Sequence, residues 1–397
     1  MKRKHAWSRS ILLVGLLGSV SAALAQNWVK VSAPNLSWAS VASSADGVYL
    51  VAAPSYGHVL YSSTNSGVSW LTNHSTSYDI YWKSVASSAD GKNLVAAGPP
   101  GGAYSPIYVS TNSGLDWIAT GGVNLNWHCV ASSADGVQLF AGVPTGQVYK
   151  FMNSGNYWKV VCPSNAMWWS MASSSDGNRV VAVACYGGVY VSTNSGGQWT
   201  KALGDSYWEG VACSSDGSKL VVASDSQTPG GGLICTSTNG GASWTTNNVP
   251  RWDWHRVASS ADGMKLAAVC NGYIYTSTNG GGLWFSNNVA INNWVGVASS
   301  ADGAKLVAVY SSGSSTGGIY VSQVVPSPQL SLSVTNSNLL LSWVIPSANF
   351  VLQQNWDFAA PVWLTVTNVP VTDLTVMRNE VVLPILQGKG FYRLATP

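Results

Sequence analysis

From residue 27 to 325 the chain alternates short apolar runs with polar punctuation, and nowhere in that span do apolar residues recur at helical spacing. The runs are rich in β-branched and aromatic residues and are separated by Asp-Gly and Asn-Ser-Gly, the signal of short strands joined by hairpins. A block of the form W-x-x-V-A-S-S-A-D-G begins at Trp38, Trp82, Trp127, Trp168, Trp208, Trp254 and Trp294, at spacings of 44, 45, 41, 40, 46 and 40 residues. Each repeat holds four extended segments. These are the block itself, a second after the Asp-Gly turn such as 93–97, a third such as 188–193, and a fourth opening at a later tryptophan. Four strands recurring at this period predict an all-β fold, a seven-bladed β-propeller over residues 26–325.

The later tryptophans test the count. Trp70, Trp117, Trp158, Trp199, Trp244 and Trp284 make six, and the seventh repeat stops at Ser322 without one. Asn27-Trp28-Val29-Lys30-Val31 resembles Tyr157-Trp158-Lys159-Val160-Val161, so Trp28 is expected to supply the outer strand of the last blade. That strand would close the ring and pair an edge that would otherwise be left open.

The two ends of the chain differ from the repeats. Residues 1–25 carry Lys2, Arg3, Lys4 and Arg9, then an apolar run from Ile11 to Val20, then Ala23-Leu24-Ala25. This is the pattern of a signal peptide cleaved after Ala25, which predicts a secreted or periplasmic protein. No later run approaches the roughly 20 apolar residues needed to cross a bilayer. At the other end, 326–328 reads as a Pro-Ser-Pro linker, and 329–397 alternates in LSLSV and LLLSW with no trace of the repeat. A small C-terminal β-sandwich domain is expected there. Its ending, GFYRLATP, resembles the short β modules appended to many secreted bacterial proteins.

Setting the leader aside changes the charge. Four of the 19 basic residues belong to it, leaving 15 against 16 acidic residues, a net charge of −1. No basic surface is left to neutralise phosphates, which excludes nucleic acid as the partner. Charged residues make up only 9% of the chain while 20 residues are Trp, which predicts a neutral polar surface over an aromatic core and excludes disorder. Cys129, Cys162, Cys185, Cys213, Cys235 and Cys270 form an even set in an exported chain. They could pair, or they could stand as small buried hydrophobes where other repeats carry Ser, Val or Tyr.

The segments STNSGVSW at 63, STNSGLDW at 110, STNSGGQW at 192, STNGGASW at 237 and STNGGGLW at 277 resemble the Asp-box (BNR) repeat, with FMNSGNYW at 151 a decayed copy. The likeness spans the whole repeat region. Asn stands where that family usually has Asp, and either side chain can bond the backbone of its own turn. Propellers of this family include sialidases, xyloglucan-cleaving glycosidases, photosystem assembly factors and sorting receptors, so the resemblance implies the fold and leaves the activity open.

Strands run alternately up and down a blade, so the SSADG turn and the Asp-box lie at one end of the ring. The connections after strands two and four lie at the other. The first set is nearly invariant. The second varies freely, as in APSYGH at 53–58 and SDSQTPGGG at 224–232, and is the expected binding end. The residue after each leading tryptophan reads Ala39, Lys83, His128, Trp169, Glu209, His255 and Val295, which would bring five chemically distinct groups to the channel mouth. Arg256 and Trp252 would flank them. Trp169 and Trp252 do not repeat, which makes them candidates for stacking on a sugar or a partner side chain. The candidate ligand-binding set is therefore Lys83, His128, Trp169, Glu209, Trp252, His255 and Arg256.

No cofactor fingerprint or metal-ligand spacing occurs. His128 and His255 are three repeats apart, and the seven Asp-Gly turns are ordinary turn chemistry. The sialidase arginine trio cannot be assembled from Arg179, Arg251 and Arg256, because Arg179 lies at the invariant end and the other two share one blade. Catalysis would have to use Glu209, the sole glutamate of the repeats, with Asp205, Asp225 or Asp253 at about 5 to 10 Å. The sequence thus points to a non-catalytic module, monomeric, binding a carbohydrate or an extracytoplasmic protein. A glycoside hydrolase built on Glu209 and Asp205 or Asp253 is the alternative.

Overall fold

The computed structural model describes residues 15–16, 27–57, 59–73, 79–99, 105–144, 146–152, 156–313, 315–323, 330–335, 338–344, 351–356, 362–373, 378–384 and 390–395. The expected linker at 326–328 lies outside them, as does all of the expected leader except Gly15–Leu16. The described chain is strand and turn with no helix, and none of it is long and apolar enough to be a membrane-crossing helix. It divides into two compact bodies, Asn27–Gln323 and a second made of Met1–Gln26 with Val324–Pro397.

The first repeat folds as an antiparallel meander of Trp38–Ser43, Leu50–Pro54, Tyr61–Ser63 and Leu71–Thr72. The second and sixth repeats, beginning at Trp82 and Trp254, form the same four-stranded sheet. The third to fifth differ from the expected separate sheets. Strands Tyr157–Ser173, Val180–Ser192 and Thr200–Cys213 run unbroken through positions read as connections, which joins three repeats into one nine-stranded sheet. Register shifts mark where these long strands bend, as at Cys185/Gly187.

The last sheet contains Trp294–Ser299, Lys305–Ser312, Thr316–Gln323 and, from the far end of the chain, Asn27–Lys30. Trp28 pairs with Ser322 in an antiparallel register. The first strands of successive repeats pack side by side, and Trp294–Ser299 packs against Trp38–Ser43, so the arrangement closes on itself.

Burial explains why the repeat has its form. The second strand of each repeat is shielded on both faces, as in Leu50–Pro54, and is accordingly a continuous apolar run. Cores form between neighbouring repeats. Val51, Ala53 and Leu60 of the first meet Trp82, Val85, Tyr108 and Trp117 of the second. All seven leading tryptophans are buried. Five of them donate the indole N–H to a backbone carbonyl: Trp82 to Gly57, Trp127 to Ser105, Trp168 to Gly146, Trp208 to Gly204 and Trp254 to Pro250, at 2.9–3.2 Å. These bonds pin the variable connections to the core.

In the second body, Leu339, Leu341, Trp343, Val381 and Leu383 of one sheet share an apolar core with Leu352 and Tyr392 of another. Gly15–Leu16 lies parallel beside Phe391–Tyr392 at the edge of the latter.

Candidate functional site

One end of the ring is saturated by its own hydrogen bonds. In each SSADG-type turn the aspartate accepts from the preceding serine and from a backbone N–H, as when Asp46 accepts from Ser44 at 2.5 Å and from Val48 N–H at 2.9 Å. These bonds hold all seven aspartates, Asp46, Asp90, Asp135, Asp176, Asp216, Asp262 and Asp302, below the usual carboxylate range, Asp216 at about 2. The Asp-box-like turns are equally self-contained. Ser63 Oγ accepts from Gly67 N–H and donates to Asn65, whose Oδ1 accepts from Ser69 N–H, all at 2.9 Å. The two kinds of turn meet through Ser66 N–H to Val48 C=O at 2.8 Å and its counterparts, including Ser195 to Asn178 and Gly240 to Ser218.

The same end carries a closed annulus of backbone hydrogen bonds. Ala45 N–H donates to Ala89 C=O, Ala89 to Ala134, Ala134 to Ser175, Ser175 to Ser215, Ser215 to Ala261, Ala261 to Ala301, and Ala301 back to Ala45, at 2.7–2.9 Å. Each link joins consecutive repeats. At this end the channel is therefore rimmed by satisfied backbone groups.

The other end is built differently. The residue after the leading tryptophan sits in a β-bulge: Ala39, Trp169, Glu209, His255 and Val295 are each the extra residue between paired neighbours. Lys83 and His128 share the same geometry, donating N–H to Ala97 and Gly142, the partners already faced by Ser84 and Cys129. A bulge re-aims its side chain, and here it separates these groups from the packed core.

The structure brings most of the sequence-predicted set together. His128 lies against the Trp169 indole, with ring centroids 4.1 Å apart. Burial, with the charges of Arg256 and Lys83, pushes His128 down to about 3, so its imidazole is neutral near pH 7. Glu209 Oε2 is 3.0 Å from His255 Nδ1, and both side chains are mostly buried. Burial alone would depress His255, but the hydrogen bond and charge of Glu209, with help from Asn271, hold it above its ordinary value. Arg256 joins the same group of side chains. Its Nη1 donates to Glu209 C=O and His255 C=O, both at 2.9 Å, while its charge acts on Lys83, His128 and Cys129. Lys83 is depressed by desolvation and by Arg256.

Trp252 is placed differently from expectation. Its ring stacks on Tyr273 with centroids 4.6 Å apart and meets Tyr275 edge-on, so it is half-buried in an aromatic cluster of its own chain. The carboxylates offered as Glu209's catalytic partners are also occupied. Asp253 accepts from Ser226 N–H and Oγ and from Asn271, which clamps two variable connections together. Asp205 is exposed and paired with Lys201 at 2.6 Å. Asp225 is buried and raised, chiefly by desolvation, and accepts from Gln227. Among the described residues no three His, Cys, Asp or Glu side chains are grouped to hold a metal. Five of the six cysteines are buried, Cys213 being the exception.

Sequence reading missed two tyrosine pairs at the variable end. Tyr56 and Tyr81, 51% and 43% exposed, have centroids 4.8 Å apart. Tyr186, 58% exposed, lies 4.3 Å from Tyr207 and holds a φ of 59°, unfavourable for an aromatic residue. The two pairs occupy equivalent places: Tyr56 and Tyr186 each stand 18 residues after a leading tryptophan, and Tyr81 and Tyr207 each directly precede the next. The sequence offered the tyrosines but not their contact across two connections.

A closed ring of antiparallel sheets with a small-residue channel defines a β-propeller. Comparison with solved structures supports that class: 1598 chains match, among them "YCF48 bound to D1 peptide" (TM-score 0.54, 16% identity, covering 79% of this chain and 100% of that one). The RRP9 WD40 repeats match at TM-score 0.58 with 12% identity over 75% of this chain and 97% of that one. U3-55K matches at 0.57 with 12% identity over 75% and 98%. No protein-family model matches the chain, and no curated protein matches it. At these identities the likeness establishes the fold alone.

Proposed function

We propose that the chain is an exported, non-catalytic recognition propeller of seven Asp-box-type blades, closed by the Asn27–Lys30 strand, that binds an extended segment of another extracytoplasmic protein at its variable end. The observation carrying this reading is the contrast between the two ends. One has its turns saturated by their own hydrogen bonds, whereas the other gathers bulged, chemically distinct side chains and exposed aromatics. A structural neighbour solved with a peptide bound adds that a propeller of similar fold can hold such a segment. Export rests on residues 1–25, and an N-terminus at Gln26 in the mature protein would support it.

The exposed pairs Tyr56–Tyr81 and Tyr186–Tyr207 favour a second reading, a carbohydrate stacked on these rings. The hydrolase alternative is weakened because Glu209 is committed to His255 and Asp253 to Ser226 and Asn271. Peptide and glycan arrays, with a polysaccharide-hydrolysis assay, decide among the three using wild type, Trp169→Ala and Glu209→Gln. Peptide binding lost in Trp169→Ala, with no sugar released by any variant, is expected. Sugar release that disappears in Glu209→Gln would make the protein an enzyme.

A further inference from the structure

Among the described residues two cations, Lys83 and Arg256, lie close enough to act on one another, and Glu209 is the carboxylate that acts on Arg256. Arg256 is held in place by the Glu209 and His255 carbonyls through Nη1, and among the described residues nothing accepts from its Nε or Nη2. Lys83 is exposed, and its ammonium has no hydrogen-bond or ion-pair partner among the described residues. Glu209 is itself engaged by His255 at 3.0 Å.

The cations also have room around them. Two residues beyond each leading tryptophan the other repeats carry Ser40, Ser84, Cys129, Ser170, Gly210 and Gly296, so Arg256 is the one long side chain at that level. At the opposite end the backbone annulus rings the channel. A guanidinium with free Nε–H and Nη2–H presents two parallel donors, the geometry that fits a carboxylate in a bidentate pair.

We propose that this mouth is a carboxylate subsite in which Arg256 and Lys83 grip a free carboxylate of the bound peptide, with the His128–Trp169 pair forming one wall. The proposal rests on the peptide-recognition reading and adds the group recognised. An anion here offsets the two causes that depress Lys83, first the desolvation of its ammonium and then the charge of Arg256. It also explains why the neighbouring imidazole is kept neutral and stacked, leaving the charge to the two cations.

The test is ligand-observed saturation-transfer NMR on the whole mature protein. The probes are acetyl-trialanine with a free C-terminus, the same peptide as its C-terminal amide, and glucuronic acid. The free acid is expected to bind about 10-fold or more tighter than the amide, and Arg256→Met and Lys83→Met should each remove most of that preference. Lys83 is exposed, so its variant keeps the fold if Arg256→Met does not. Equal binding of acid and amide, a preference that survives both substitutions, or no transfer from the acid to wild type would each overturn the proposal. Transfer from glucuronic acid alone would overturn the peptide assignment. If acid and amide bind alike and both are lost in Trp169→Ala, the recognition face stands while the carboxylate subsite falls.

Discussion

Ala301 donates its backbone N–H to the carbonyl of Ala45 at 2.7 Å, although 256 positions of chain separate them. The bond completes the annulus at the end of the Asp-Gly turns. At the rim the same closure is made by Asn27–Lys30 on Thr316–Gln323, and Trp28 carries it into the core beside Val269, Trp294 and Tyr310.

Trp28→Ala should therefore cost about 3 to 5 kcal/mol, as expected for deleting a buried indole. Urea unfolding of the full chain checks this. A loss below about 1 kcal/mol would mean that the terminal strand does not hold the ring shut.

Stability should fall as the solution is acidified, through two separate groups. His128 titrates near 3 when folded and near 6.5 when unfolded, so between those values only the unfolded chain takes up the proton. Stability is then lost as pH falls from about 6.5, at up to about 1.4 kcal/mol per unit. The seven depressed turn aspartates contribute stability present above their unfolded value of about 3.9 and lost as pH falls through their lower folded values, which steepens the decline below about pH 4. His255 acts oppositely. Its raised folded value gives stability that is full below about 6.5 and fades as pH climbs through that value. Denaturation midpoints from pH 7 to 4 should show a flatter slope in His128→Gln, and an unchanged slope would refute the buried neutral imidazole.

The thiols should be inert while the protein is folded. Burial pushes Cys129, Cys213 and Cys270 up to about 12 and Cys185 up to about 11, so almost no thiolate is present at pH 8. Ellman's reagent should titrate close to none of the six in the native protein and all six after unfolding without reductant. Fewer than six after unfolding would reveal a disulfide.

The ring was legible in the sequence because each blade buries the same kind of surface against its neighbour. Repeated burial demands repeated residues, so the tryptophans, the apolar second strands and the Asp-Gly turns recur at a fixed period and can be counted. Even the closing role of Trp28 follows, since six outer tryptophans leave one expected strand unfilled. The fused strands of the third to fifth repeats were not legible, because an extended connection and a loop can be written in the same residues.

For the site, the sequence determined which side chains occupy the one varied position of each inner strand, and therefore that Lys83, His128, Trp169, Glu209 and His255 face a common channel. Only the tertiary structure decided how they divide their interactions. Glu209 is claimed by His255, Trp252 by Tyr273 and Asp253 by Ser226, while Arg256 holds the Glu209 and His255 carbonyls through Nη1 with donors to spare. Position along a strand is a local property set by the repeat. Pairing between connections and repeats depends on side-chain reach and on competition between groups that lie 21 to 47 residues apart, which no local pattern encodes.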